Sequence, residues 1–249
     1  LVRRIFVSLF LIICLWQINY LGGCYSNLIM NISYKDFKPK NHAAILAIEL
    51  LPDNMSFITE YKNVIKPLLD NPNTANALAN IKHYDINTFN HSVSVAIVSG
   101  VICKLCSLSS KEFKNAIIAG LFHDIGKIMV DKHIILGNTK LSEKERFVIQ
   151  LHPLLGYNVC SKLQLPHYVK RGVLMHHENY DGTGYPFNKK KDEIPLIARI
   201  LRLADVFDAL ISKRSYKKEY DYDSTVKYIL SNSGNLFDPK LLNVFRKVA

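Results

Sequence analysis

Apolar residues recur at intervals of three or four along most of the chain, which is the spacing of a buried helix face. No alternating strand pattern of useful length is found. The spacing predicts helices over Ala43–Leu51, Ser56–Leu69, Asn87–Leu108, Ser110–Phe122, Pro166–His176, Ile194–Ile211, Ser224–Leu230 and Pro239–Val248. Another helix begins at the capping box of Ser142 and Glu145, and His152 follows at its far end. We therefore expect an all-α fold.

The N-terminal segment carries no charge over residues 5–34, after Arg3 and Arg4. Its most apolar part, Ile5–Cys24, is long enough to cross a membrane as a helix. Two other interpretations stay open, a buried helix of a truncated upstream domain and a cleaved signal peptide. We rank the membrane anchor first. The predicted organisation is an apolar segment at residues 1–40, a helical lead-in at 41–84 and a catalytic domain at 85–249.

The composition is that of a folded protein, with 49% hydrophobic and 21% charged residues among 249. The formal net charge of +11 would suit a nucleic acid, another anionic ligand or a membrane surface. Because no motif combines aromatic and basic residues, we expect no DNA or RNA partner and assign most of the charge to a lysine-rich solvated surface. The five cysteines form no disulfide framework.

Candidate chemistry centres on the adjacent pair His123-Asp124, at the end of an apolar helix and before Gly126 and Lys127. The two carboxylate oxygens of Asp124 can bridge two cations, and Gly126 is expected to permit a turn. A single histidine on a helix face, such as His91, is usually a core residue. Separate helices nevertheless offer further ligands, namely His91, His152, His176, His177 and Asp205. Imidazole and carboxylate ligands without thiolate favour a catalytic site for iron, manganese or a similar cation, and the number of ligands suits two metals.

Several segments together resemble the HD-GYP family of cyclic di-GMP phosphodiesterases, a branch of the HD phosphohydrolases. They are HSVSVA around His91, GLFHDIGK, LHPLLGY, HHENYDGTGYP, IARILRLADVFDAL, RSYK and LFDP. The resemblance covers about Asn87 to Phe245. The second histidine pair and the DGTGYP loop distinguish this branch from other HD proteins.

The resemblance implies an HD-type helical bundle with a dinuclear metal site, preceded by an apolar N-terminal helix. One metal would be held by His91, His123, Asp124 and Asp205, and the other by Asp124, His152, His176 and His177. Lys127 would contact the scissile phosphate, Arg214 and Lys217 would bind the phosphates of the substrate, and Gly184, Tyr185 and Pro186 would line the site. Trinuclear members carry a glutamate where this chain has Asn87, so we expect two metals, iron or manganese.

The implied activity is hydrolysis of cyclic di-GMP to the linear dinucleotide, with further cleavage to GMP left open, and with a metal-bridged hydroxide as the nucleophile. Two alternatives remain: hydrolysis of another cyclic dinucleotide or nucleotide, and an inactive cyclic di-GMP sensing module. All the ligands are present in the sequence, which disfavours the inactive module. Since cyclic di-GMP is an intracellular messenger, we expect the catalytic domain in the cytoplasm, attached to the inner membrane. A homodimer stays open.

Overall fold

The computed structural model describes residues 32–137, 141–212 and 221–243. The apolar segment Ile5–Cys24 and its predicted membrane role therefore lie outside the described residues. Within those ranges the backbone consists of helices and connecting turns, and one isolated bridge between Ser233 and Phe237 is the only β-type pairing. The predicted all-α fold is confirmed.

Most of the helices in the described ranges occur where the apolar spacing predicts them. They are α1 (His42–Glu49), α2 (Asn54–Asp70), α3 (Pro72–Tyr84), α4 (Ile86–Leu105), α5 (Ser110–Phe122), α6 (Lys132–Leu136), α7 (Glu143–Ile149), α8 (His152–Lys162), α9 (His167–Met175), α10 (Leu196–Ile211) and α11 (Tyr222–Ser231). Helix α5 has the predicted bounds. The capping box at Ser142 is also present, and Glu145 accepts a hydrogen bond from the Ser142 backbone N–H.

The turn at Asn71-Pro72 both ends one helix and begins the next. Helix α2 ends there as predicted, but α3 follows at once. The side chain of Asn71 accepts hydrogen bonds from the backbone N–H groups of Asn73 and Thr74 at 2.9 and 3.4 Å. Pro72 occupies the start of the helix, where a missing N–H costs no hydrogen bond. The same residues that stop α2 therefore cap α3.

Helix α4 is the central core helix, and every residue from Ser92 to Cys103 is buried. It packs against α1, α3, α5 and α10, so the helices of the predicted lead-in share one hydrophobic core with the helices that carry the motifs. By length and composition α4 could cross a membrane, but 78% of the apolar window is buried inside the fold. Its apolarity is therefore explained by its place in the core.

A buried ion pair fixes α10 to the C-terminal segment. Nη1 of Arg199 lies 2.6 Å from Oδ2 of Asp238 and 3.0 Å from Oδ1 of Asp192. Asp238 belongs to the LFDP motif, which accordingly has a structural explanation. Residues 239–242 form turns rather than the start of the predicted helix Pro239–Val248, and residues 244–248 lie outside the described residues.

Candidate metal centre

Helix ends deliver most of the predicted ligands to one place. His123 follows α5 directly, and His176 follows α9 directly. His152 follows the far end of the helix that begins after Ser142, as predicted. That helix, α7, ends at Ile149, and His152 is the first residue of α8. A residue at a helix end can direct its side chain along the helix axis, whereas a residue in the middle of a helix directs its side chain outward from the axis.

Three of the histidines are oriented in the same way. His123, His152 and His176 each donate a hydrogen bond from Nδ1 to the backbone carbonyl three residues earlier, at 2.8, 2.7 and 2.7 Å. When Nδ1 carries the proton of a neutral imidazole, Nε2 carries the lone pair that can bind a metal. The backbone therefore selects the tautomer of all three rings and directs their Nε2 atoms inward.

Two groups of three ligand residues have no member in common, and the ligand atoms within each lie inside 4.8 Å of one another. They are His91, His123 and Asp205, and His152, His176 and His177, and a third such group, His123, Asp124 and His176, joins the two. Asp124 lies between them. Its Oδ2 is 3.3 Å from Nε2 of His123, and its Oδ1 is 3.3 Å from Nε2 of His152. This is the arrangement that a carboxylate bridging two cations requires.

The donor atoms suit cations and are poorly satisfied by one another. Nε2 of His152 lies 3.2 Å from Nε2 of His176, although the protons of both neutral rings are on Nδ1. Two lone pairs at this distance repel unless a cation binds them. Nε2 of His123 is buried and has no hydrogen-bond partner of acceptable geometry among the described residues. The cluster therefore fits divalent metal ions.

The protonation states of three ligand histidines and of Asp124 also favour metal binding. Burial is the main cause that lowers the pKa of His152 to about 4 and holds the pKa values of His176 and His177 well below the usual range, so the rings are neutral near pH 7. Burial alone would raise the pKa of Asp124, but His123 and Lys127 beside it keep that pKa well below its usual range. Neutral imidazoles facing an ionised carboxylate are the protonation states in which these residues bind metals.

The loop Tyr180–Pro186 covers one side of this cluster. The ring of Tyr185 stacks on His177 with 4.7 Å between centroids and 20° between planes, and the Tyr185 N–H donates to the His177 carbonyl at 3.2 Å. A Cβ on Gly184 would overlap with the backbone of His177 and Asn179, so only glycine permits this close approach. Of the predicted loop residues, Gly184 and Tyr185 thus lie against His177.

The family assignment rests on a comparison with known proteins. A family model described as an HD domain matches residues 49–241. The chain belongs to the HD domain family. The response regulator RpfG of Xanthomonas campestris pv. campestris, a cyclic di-GMP phosphodiesterase, is 39% identical over 149 residues, which cover 59% of this chain and 39% of that protein. The HD-GYP resemblance drawn from the motifs is thereby confirmed.

Two further comparisons extend this result. The 3'3'-cGAMP-specific phosphodiesterase 2 of Vibrio cholerae serotype O1 is 31% identical over 199 residues, which cover 79% of this chain and 37% of that protein. The chain spans less than half the length of either relative. An HDG"Y"P protein of Bdellovibrio bacteriovorus has a related fold, with a TM-score of 0.53 and 15% identity over 86% of this chain and 76% of that one.

Some of the remaining predicted residues of this HD domain lie within the described residues, and others lie outside them. Lys127 lies at the cluster, with Nζ 2.6 Å from Oδ2 of Asp124 and 24% of its side chain exposed. Asn87 is exposed, one helical turn before His91. Arg214 and Lys217, predicted to bind the phosphates of the substrate, lie outside the described residues.

Two acidic residues support the site of the HD domain without being predicted for that role. Asp208 is buried, and its Oδ2 accepts a hydrogen bond of 2.6 Å from Nδ1 of His91. Glu178 is buried next to His177 and accepts hydrogen bonds from the backbone N–H groups of Phe187 and Lys189, at 2.7 and 3.1 Å. The spacing of Asp208 three residues after Asp205 on one helix could have indicated its position. No local signal assigns Glu178 to the loop.

Asp208 directs His91 toward the cluster. With Nδ1 held by Asp208, Nε2 of His91 points to Oδ1 of Asp205 at 3.1 Å. Burial would lower the pKa of His91, but the hydrogen bonds to Asp205 and Asp208 raise it to about 9. A carboxylate behind a ligating histidine fixes the ring orientation and increases the basicity of the nitrogen that faces the metal.

We expect Asp208→Asn to lower the affinity for manganese about 10- to 100-fold, because the amide keeps the shape of the side chain but not the charge behind His91. Equilibrium titration with Mn²⁺ measures the effect. Asp70→Asn removes a charge from an exposed helix position and serves as the matched control. If both variants bound manganese like the wild type, Asp208 would not orient a metal ligand.

Proposed function

We propose that this chain is a metal-dependent phosphodiesterase that hydrolyses cyclic di-GMP to the linear dinucleotide with two divalent ions. The observation that carries the proposal is Asp124, whose two oxygens lie beside His123 of one ligand group and His152 of the other. The similarity to a cyclic di-GMP phosphodiesterase supports the choice of substrate. An inactive sensing module would have no need to keep a complete set of closely spaced ligands.

In this proposal the two groups have the roles that the family resemblance implies. One metal is held by His91, His123, Asp124 and Asp205, and the other by Asp124, His152, His176 and His177. The ligands are nitrogen and oxygen atoms without thiolate, which suits iron or manganese. When bound, the ions supply a water of lowered pKa and positive charge beside the phosphoryl oxygens.

The remaining side chains bind and orient the substrate. Lys127 is partly exposed on a flexible side chain, so its ammonium group can leave Oδ2 of Asp124 and donate to a phosphoryl oxygen. Tyr185 covers one face of His177 and keeps bulk water from that ring. Glu178 holds the backbone after Pro186, which keeps the loop against the cluster. Arg214 and Lys217 remain predicted phosphate contacts.

A cyclic dinucleotide of another base composition is the second candidate substrate, because a relative that covers 79% of this chain is specific for 3'3'-cGAMP. Anaerobically purified, manganese- or iron-loaded protein should be assayed with cyclic di-GMP, 3'3'-cGAMP and cyclic di-AMP, and the linear and mononucleotide products resolved by chromatography. We expect the highest kcat/KM with cyclic di-GMP. Faster cleavage of 3'3'-cGAMP would make that dinucleotide the assigned substrate. If none of the three dinucleotides were cleaved, the proposed activity would be rejected.

We expect close to two metal ions per chain and a protein that is stabilised by them. Exposed Asn87 is a poor ligand for a third ion, and bound metal relieves the repulsion between His152 and His176. A hundredfold excess of Mn²⁺ over its Kd should raise the free energy of unfolding by about 2.7 kcal/mol for each ion bound. Elemental analysis and thermal unfolding with and without chelator measure both quantities. Three ions per chain, with one lost in Asn87→Ala, would contradict the expected number.

We further propose that Ile5–Cys24 anchors the chain in the inner membrane with the catalytic domain in the cytoplasm. The length and apolarity of the segment support the anchor, and the intracellular origin of the substrate supports the location. Cell fractionation combined with protease protection tests both. Recovery in the soluble fraction would reject the anchor, and digestion of the domain from outside intact cells would reject the location.

A further inference from the structure

Arg202 lies on α10, three residues before Asp205, so both side chains project from nearly the same face of the helix. It is half-buried, and its Nε donates a hydrogen bond of 2.9 Å to Oδ1 of Asn179. Asn179 follows His177 by two residues. Arg202 is therefore fixed at the edge of the metal centre by a residue from the chain segment that supplies a metal ligand.

A chain of hydrogen bonds orients the amide that holds Arg202. Nδ2 of Asn179 donates to Oγ1 of Thr183 at 3.0 Å, and that hydroxyl donates to Oδ1 of Asp181 at 2.7 Å. The amide nitrogen is thus used within the loop, and its oxygen must face Arg202. Nε of the guanidinium is occupied by this contact, whereas the two terminal nitrogens have no hydrogen bond to a described residue.

The charge of Arg202 has no counterion among the described residues. Arg199, one turn earlier on the same helix, lies within 3.0 Å of two carboxylates, Asp192 and Asp238. Arg202 has no carboxylate within 4.0 Å in the described part of the chain, and only the neutral amide of Asn179 holds it. A half-buried cation without a counterion favours the binding of an anion, because that anion replaces part of the lost hydration.

Arg202 and Lys127 act on different parts of the centre. Arg202 is held by Asn179, in the segment that follows His177. Lys127 instead lies beside Asp124, with Nζ 2.6 Å from Oδ2. The two cations can therefore serve two different anionic groups.

We propose that the two terminal nitrogens of Arg202 bind the phosphate of the cyclic dinucleotide that is not being cleaved. The inference rests on the proposed function and extends it to the second phosphate of the substrate. Lys127 then serves the scissile phosphate beside Asp124. A planar guanidinium with two free N–H groups side by side matches two oxygens of one phosphate. This contact requires a substrate with two phosphates, so a simple diester with one phosphate cannot form it.

Arg202→Gln tests this contact, with Arg171→Gln as the control that removes the same charge from an exposed position on α9. Affinity should be measured by calorimetry with metal-loaded protein and a bis-phosphorothioate analogue of cyclic di-GMP that resists hydrolysis. The loss of a charge-assisted phosphate contact corresponds to roughly a 10- to 100-fold increase in Kd. Arg202→Gln should show this increase, and KM for cyclic di-GMP should follow it. Arg171→Gln should match the wild type.

A second variant and a second substrate separate a phosphate contact from a structural role. Asn179→Asp keeps an oxygen beside Nε of Arg202 but supplies the missing counterion, so it should weaken binding in the same direction. Hydrolysis of bis(p-nitrophenyl) phosphate, which has one phosphate, should stay within about twofold of the wild type in the Arg202 variant. Wild-type Kd should also rise more steeply with salt than the Kd of Arg202→Gln.

Four results would overturn the proposal. Equal Kd values for wild type and Arg202→Gln would exclude the contact. An equal loss of bis(p-nitrophenyl) phosphate hydrolysis would show that Arg202 supports the metal centre itself. A third result would be wild-type protein that hydrolyses the simple diester but neither binds the analogue nor cleaves cyclic di-GMP. That result would reject cyclic di-GMP as the substrate, and it would reject the Arg202 contact as well. If Arg202→Gln did not fold, Asn179→Asp would decide, with unchanged affinity overturning the contact.

Discussion

Asp124→Asn should abolish the hydrolysis of cyclic di-GMP, with a loss on the order of a thousandfold or more. The amide has the size of the carboxylate, but only one of its two polar atoms can bind a cation and its charge is gone. Both groups of histidines would then lose the residue that lies between them. Product chromatography and metal analysis of the same preparation measure the two effects together, and both activity and metal content should fall.

The appropriate comparison for Asp124→Asn is a substitution of the same kind away from the cluster. Asp70→Asn on the exposed surface of α2 serves here as well. Circular dichroism of both variants establishes that the helices are intact. Wild-type turnover in Asp124→Asn would mean that the reaction takes place elsewhere in the protein.

Gly126→Ala should destabilise the fold and detach His152 from the metal centre. A Cβ at this position would overlap with the carbonyl oxygen of His152 and would lie 2.6 Å from the backbone nitrogen of Gly156. The start of α8 must therefore move outward. Overpacking against backbone costs about 1–3 kcal/mol or more in free energy of unfolding, because no side chain can rotate away. Urea unfolding measures this loss, and metal analysis should show less metal bound per chain.

Gly137→Ala adds the same methyl group at an exposed position with φ −64° and ψ 139°, which any residue adopts. Its free energy of unfolding should stay near that of the wild type. If Gly126→Ala were as stable as Gly137→Ala and kept its metal, the close approach of the two backbone segments would not contribute to the free energy of unfolding.

Gly126 also illustrates what the sequence reveals and what it conceals. The sequence suggests that the glycine permits a turn, yet its backbone does not adopt the left-handed conformation that would require glycine. The reason for glycine is contact with the helix that starts at His152. That contact joins residues far apart in the chain, so no local pattern predicts it. The helices themselves, such as α5 and the capped start of α7, depend on neighbouring residues and were predictable.

In the metal centre, too, some features could be predicted from the sequence and others could not. The motifs indicate the ligand residues from His91 to Asp205, because an unusual combination of residue types at set spacings is visible in the sequence. The partners that orient them are not visible in this way. Asp208 behind His91 and Asn179 beside Arg202 were not predicted, because a hydrogen bond between separate helices or loops depends on how these elements pack. The sequence also places His152 after the far end of α7, but it does not reveal that a new helix starts at His152.

The backbone carbonyls that hold His123, His152 and His176 come from the C-terminal turns of three helices, α5, α7 and α9. The C-terminus of a helix carries a partial negative charge of roughly half an electron from its macrodipole. Three such ends therefore converge on the buried carboxylates and repel an approaching phosphate. Cations reverse the sign of this local field. We therefore expect the metal ions to enter before the proposed nucleotide substrate, so metal depletion should abolish nucleotide binding as well as turnover.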